Sequence, residues 1–209
     1  MEINPQELPP REVYKLMSGS IVPRPIAWVS TVDADGNANL APYSFFNAVC
    51  ANPPTVMFSV GYRYTDDGQK DTFHNVKATE EFVINFVNES TAEAMNITAV
   101  EVPPDVDEFE RAGLSAIPSK LVKPPRVGES PIAFECKLNQ IVTINAGVGG
   151  GHIIIGEVVY MHFADGIYQE GNYINLEAYE PIARMMGGEY AHLNDFFTIE
   201  RPPSELKPE

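Results

Sequence analysis

Lys70-Asp71-Thr72 opens a helical pattern and gathers an ammonium, a set of backbone N–H groups and a hydroxyl at one point of the chain. That is the equipment a phosphate monoester needs: donors at a helix N-terminus, a cation and a hydroxyl. Some twenty-five residues earlier, Ser44-Phe45-Phe46-Asn47 sets a small hydroxyl, two aromatics and an amide in a row. A planar heterocycle with polar edges is held by a flat apolar wall beside hydrogen-bonding groups, and this run offers both. A ring pocket and a phosphate pocket together point to flavin mononucleotide (FMN). Each signal also has a plain alternative. Lys70-Asp71-Thr72 by itself reads as a helix cap in a solvated loop, and the second run as core aromatics beside a strand edge and a turn.

Further candidates lie nearby. Ser30 and Thr31 fall in the strand that pairs with the second run through a hairpin, which predicts that they face Ser44 across the ladder. Arg24 stands between two prolines in an extended segment and serves either as a second cation for the phosphate or in a structural salt bridge. Arg63, in a polar loop, has a weaker claim. Near the C-terminus, Arg184-Met185-Met186-Gly187-Gly188-Glu189-Tyr190 joins a cation, a Gly-Gly turn and an aromatic. His152 and His162 bracket an apolar strand and read as structural. Cys50 and Cys136 are widely spaced, giving neither a disulfide framework nor a metal or redox pair. The histidines lack paired spacing, so no metal site is expected.

The elements that must position these groups are mostly strands. A short helix follows Pro9-Pro10 and ends near Gly19. Ile26–Val32 and Asn37–Asn47 read as a hairpin about Asp33-Ala34-Asp35-Gly36. Thr55–Val60 and Phe82–Val87 are further strands. Between them lie a polar loop from Gly61 to Gln69 and a helix from Thr72 to Thr79 capped by Asp71. Ser90-Thr91-Ala92-Glu93 reads as a capping box. Residues 102–127 form a Pro-rich excursion outside the core, with a short acidic helix from Asp107 to Ala112 stopped by Gly113. Pro131–Asn145 and His152–Phe163 are long strands around a glycine-rich tip. The second is apolar enough to need cover on both faces or a partner chain. Asp165-Gly166 predicts one more hairpin. About six strands in hairpin order, without regular βαβ alternation, predict a mainly β fold: a six-stranded antiparallel Greek-key barrel with a few short helices. Residues 1–201 form one domain and 202–209 a frayed tail.

Composition narrows the partners. The chain has 209 residues and a formal net charge of -15, which argues against nucleic acid or an anionic membrane surface. No apolar run is long enough to cross a bilayer, and the acidic, Pro-rich N-terminus lacks the features of a signal peptide, so a cytoplasmic protein is expected.

The ordered set SGSIVPRPIAWVST, LAPYSFFN, KDTFHNV, FVINFV, IIIGEVVYMH and RMMGGEY resembles the flavin reductase-like, FMN-binding split-barrel family, and within it the flavoredoxin-type branch. The resemblance covers residues from about 11 to about 190. It implies a homodimer of packed barrels with an FMN at each end of the interface. Ser44, Phe45, Phe46 and Asn47 would meet the isoalloxazine, Ser30 and Thr31 the ribityl chain or phosphate, Lys70 and Thr72 the phosphate, and Tyr190 the ring. Arg24 matches the pattern without an assigned contact. Implied activities are electron transfer from NAD(P)H through FMN to a flavin, a ferric chelate or a partner protein. Alternatives are a flavoredoxin-like carrier reduced by another protein, a non-enzymatic FMN-binding dimer and, with a poorer motif match, a pyridoxamine-phosphate oxidase-like enzyme.

Overall fold

The structure, a computed structural model, describes residues 1–63, 65, 66 and 68–206. Helix α1 (Pro10–Ser20) begins on proline, whose missing N–H is harmless in the first turn. It ends at Ser20, next to Gly19 as expected. A Cβ on Gly19 would stand 2.9 Å from Met186 Sδ, so the Met186 side chain packs against bare backbone here. Strands β1 (Ala27–Val32) and β2 (Ala38–Tyr43) form the expected hairpin. The Asp33 carboxylate accepts from the Asp35 and Asn37 amides at 2.9 and 2.8 Å and shapes its turn.

The sequence reading carries the second strand on to Asn47, and here the structure corrects it. The chain bends at Ser44-Phe45, and β3 (Phe46–Ala51) pairs with β4 (Pro54–Gly61) instead of β1. Helix α2 (Asp71–Thr79) follows, with Lys70 and not Asp71 at the cap position. After β5 (Glu81–Phe86), the capping box is made by Asn88 and Thr91, not by Ser90 and Glu93. Asn88 Oδ1 accepts from the Thr91 amide and the Thr91 hydroxyl from the Asn88 amide, one turn ahead of α3 (Ala92–Ile97). Helix α4 (Glu108–Ala112) starts one residue later than expected, with Asp107 as its cap, and is stopped as expected by left-handed Gly113. Asp107→Ala should lower stability by about 1 kcal/mol in urea unfolding. An unchanged midpoint would show that the packing of Phe109, 2% exposed, holds this helix without its cap.

Inside the excursion, β6 (Ala116–Ile117) and β7 (Arg126–Val127) form a small ladder. Then come the long strands β8 (Ile132–Asn145) and β9 (Gly151–Phe163). Gly166 makes a turn, but no hairpin forms with β9: β10 (Tyr168–Gln169) pairs with β11 (Tyr173–Ile174). The chain ends with α5 (Leu176–Tyr179), the pair β12 (Ile182–Arg184) and β13 (Tyr190–His192), and an exposed stretch. Of the expected tail, residues 207–209 lie outside the described residues.

One seven-stranded antiparallel sheet runs β2-β1-β5-β8-β9-β4-β3. The extra strand relative to the expected six comes from the break at Ser44-Phe45. That break also dictates the shape. Laid flat at about 4.8 Å per strand, the two edge strands would stand roughly 29 Å apart. Yet β2 ends at Tyr43 and β3 begins at Phe46, three residue steps that reach no more than about 11 Å. The sheet must therefore curl until its edges meet at that end, giving a barrel with β2 and β3 at its lips. Phe58, Phe82, Val60, Ile84 and Ile154 fill the interior. Gly156 makes room for Phe82, whose Cζ lies 2.4 Å from where a Cβ would sit. A second cluster, Trp28, Leu40, Met95 and Phe109, packs α3 and α4 outside the barrel. Strand β1 is thus buried on both faces. Strand β9 is not: its residues alternate, His152, Ile154 and Val158 buried, with Ile153 and Ile155 half-exposed.

The excursion is more firmly attached than its composition implies. Glu135 on β8, fully buried, accepts from the Lys120 and Leu121 amides at 2.7 and 2.6 Å and lies 2.6 Å from His162 Nε2. Asn85 on β5 accepts from the Val127 amide at 2.9 Å, and Ser30 on β1 donates to Pro125 O at 2.5 Å. Three neighbouring strands hold one loop through buried polar groups, each satisfied by backbone.

Candidate functional site

Asn39, Ala41 and Tyr43 alternate along β2 and, being two residues apart, share one face. With Lys70, Asp71 and Thr72 at the start of α2, with Arg63, and with residues 98–102 and Glu108, they line a cleft beside the barrel lip. No side chain caps α2. The first two amides, of Asp71 and Thr72, precede the turn's first bond, from the Phe73 amide to Lys70 O at 2.9 Å. Uncapped amides at a helix start carry partial positive charge and favour an anion. Lys70 Nζ lies 5.8 Å from the centre of the Tyr43 ring. Burial pulls its ammonium below the usual lysine range; Glu101 pulls the other way, and Arg63 adds to the lowering. Arg63 is already held by Asp66, at 2.9 and 3.0 Å, and stands 4.0 Å from Asp71. Burial pushes the Glu108 carboxyl up, although the Leu40 amide donates to it at 3.1 Å.

Thr72 enters this cleft differently from the sequence expectation. It is 1% exposed, and its hydroxyl oxygen accepts from Tyr43 OH at 2.9 Å and Asn39 Nδ2 at 3.2 Å. The side chain locks α2 to β2, and its amide is the group turned to the helix start. Thr31 is also fully buried and accepts from Asn75 Nδ2 at 3.1 Å, tying α2 to β1. Ser30 holds the excursion. The expected pairing of Ser30 and Thr31 with Ser44 fails because they sit opposite Leu40 and Asn39, while Ser44 lies beyond Tyr43 in the bend.

The bend forms a second centre. Phe45 is half-buried, Phe46 buried and Asn47 exposed, with Asn47 Oδ1 on the Ala48 amide at 2.8 Å. Arg24 is 4% exposed and donates from Nε to Ser44 Oγ at 3.2 Å; its guanidinium lies 5.8 Å from the Phe45 ring centre. Its other donors go to the carbonyls of Ser18, Ile21 and Met185. Neither a salt bridge nor a free cation, Arg24 ties together the end of α1, the bend and the C-terminal segment. On that segment Tyr190 is exposed, its ring under Arg184 at 4.6 Å and its hydroxyl 3.4 Å from Asn96 Oδ1. His152 stacks on Phe73 at 3.9 Å and meets Thr143, so both expected structural histidines have structural contacts. The alternation of β2 is the signal that would have added Asn39 and Tyr43 to the cleft. Nothing local marks Glu108.

The sequence model of the flavin reductase like domain matches residues 17–182, which takes in the cleft and the Ser44–Phe45 bend with Arg24, but stops short of Arg184, Met185 and Tyr190. The chain belongs to this family. Among solved structures it is similar to nitrilotriacetate monooxygenase component B from Bacillus cereus, at 38% identity and a TM-score of 0.89 over 95% of this chain and 98% of that one. It is also similar to the 2-nitrobenzoate 2-nitroreductase NbaA of Pseudomonas fluorescens, at 31% identity and a TM-score of 0.87 over 98% and 100%. The flavoredoxin of Desulfovibrio vulgaris (Miyazaki F) shares the fold, with a TM-score of 0.72, 21% identity and coverage of 85% and 91%. No helix among the described residues is long and apolar enough to cross a membrane.

Proposed function

We propose that this flavin reductase-like protein is an FMN-dependent oxidoreductase, its FMN phosphate held at the start of α2 and its ring against the Ser44–Phe45 bend. The observation that carries the reading is the uncapped start of α2 beside the desolvated ammonium of Lys70. A phosphate fits that arrangement, since it takes up helix amides and a cation at once. Lys70, Arg63 and the amides of Asp71 and Thr72 hold the phosphate, and Ser44 to Asn47 and Tyr190 receive the ring. Thr31, Ser30 and the Thr72 hydroxyl act one layer behind, fixing the strands and helix that carry these groups.

FMN when bound supplies two-electron transfer from NAD(P)H to a flavin, a ferric chelate or a partner protein. The chain contributes binding, orientation and exclusion of water. The relatives named as a monooxygenase component and a nitroreductase support redox work on this scaffold. The reading is of one cytoplasmic domain acting as a homodimer. The half-exposed Ile153 and Ile155 and the exposed Val49, Ile144 and Met161 on β3, β8 and β9 favour a second copy as their cover.

The net charge of -15 favours a second reading, an electron carrier that docks on basic redox partners. Anaerobic mixing of FMN-loaded protein with NADH or NADPH separates the two. Rapid bleaching of the flavin band is the expected result. A protein that binds FMN but stays yellow with both nucleotides supports the carrier, and one that ignores FMN in equilibrium dialysis overturns both.

A further inference from the structure

Arg24 brings a positive charge into the protein without a negative one to meet it. Its four donor contacts are to neutral oxygens: Ser44 Oγ and the carbonyls of Ser18, Ile21 and Met185. Among the described residues no carboxylate lies within 4.0 Å of its guanidinium. Arg184, joined to Arg24 by backbone hydrogen bonds in both directions at 2.9 and 3.1 Å, adds a second cation to the same corner. Burial pulls the Arg24 pKa down, Tyr14 opposes this, and Arg184 lowers it further. Buried charges are ordinarily paired, because removing them from water is expensive. The need to tie three segments together explains the many donors of an arginine. It does not explain why a chain with 29 acidic residues brings none of their carboxylates within ion-pair distance of this guanidinium.

We propose that Arg24, reinforced by Arg184, keeps a positive potential at the Ser44–Phe45 bend that favours the reduced, anionic state of the flavin seated there. This rests on the reading that FMN lies against the bend. The charge count is simple. A hydride from the reduced nicotinamide carries two electrons and one proton, the nicotinamide leaves as its oxidised cation, and the neutral ring system gains one negative charge. Arg24 keeps its proton throughout and exchanges no electrons. It is a positioning residue acting through its field, which water screens less because the side chain itself is buried.

The test is the midpoint potential of bound FMN in the wild type, Arg24→Gln, Arg24→Lys and Arg184→Gln, with thermal unfolding measured alongside. Arg24→Gln should lose at least tenfold in preference for reduced over oxidised flavin, a fall of about 30 mV for a two-electron couple. Arg24→Lys, which keeps the charge but not the fork of donors, should unfold earlier yet hold its potential near that of the wild type. Arg184→Gln should fall in the same direction by less. A purely structural Arg24 would instead lower the stability of both Arg24 variants and leave the potentials alone, and that overturns the proposal. If Arg24→Gln does not fold, Arg184→Gln decides, an unchanged potential there being the negative result. Wild type that binds no FMN sinks the functional reading itself; FMN binding with an unmoved potential sinks only the role of Arg24.

Discussion

Glu135→Gln is expected to lower the unfolding free energy by about 3 kcal/mol, the lower end for breaking a buried charged cluster. For a chain of this length that corresponds to a fall in Tm on the order of 6–12 °C. The geometry gives the reason. One carboxylate oxygen takes the Lys120 amide and lies against His162, while the other takes the Leu121 amide. A glutamine offers one oxygen and one NH2 group, so its NH2 must face a backbone donor and leave that amide unpaired in the interior. Hydrogen exchange should locate the damage at Lys120 and Leu121 before the barrel strands. A loss under about 1 kcal/mol would mean that the excursion is held by its other contacts.

The same carboxylate sets a pH dependence. Burial by itself would raise the Glu135 pKa, but the Lys120 amide, His162 and the Leu121 amide together hold it below the usual glutamate range. A pKa lower in the folded than in the unfolded state means that the unfolded chain binds the proton more readily. The contribution is therefore complete above the unfolded value, about 4.3, and is lost as pH falls below it through the folded value. Wild type should lose this increment on acidification, and Glu135→Gln should show a flatter stability profile there.

Lys70→Ala should weaken FMN binding by about 1.5–3 kcal/mol, the worth of a charged hydrogen bond, or roughly 10- to 150-fold in Kd. Riboflavin, which has no phosphate, should bind wild type and variant alike. The comparison matters because Lys70 also covers the Tyr43 ring, and a change in packing would affect both ligands. Equal losses for the two would assign Lys70 to the fold and remove the main support for a phosphate at α2. Isothermal titration with both ligands at one ionic strength is sufficient, provided salt is held fixed.

The sequence carried the local chemistry well. The β1–β2 hairpin with its Asp35-Gly36 turn, the short helix stopped by Gly113 and the long strands β8 and β9 are set by side chains near in sequence, so the amino-acid order states them directly. The family motifs and the pair of candidate centres were legible for the same reason. What the sequence left undecided was which polar side chains look into the cleft and which look into the protein. Ser30, Thr31 and Thr72 carry polar groups as Lys70 does, and only the register of β1 against β2 and the seating of α2 turn their hydroxyls inward. The bend at Ser44-Phe45 was hidden because a strand-like run reads the same whether it stays on one edge or crosses to the other. Crossing depends on curling the sheet, a demand made by strands as far off in sequence as β9, more than a hundred residues away. Glu135 found its partners over separations of 14 to 27 residues, and Arg24 reaches Met185 across 161. Sequence by itself determined where the main strand runs lie, the β1–β2 turn and the chemical kinds present; tertiary closure decided where the second run breaks and which groups meet, because those contacts exist only once the barrel edges are joined.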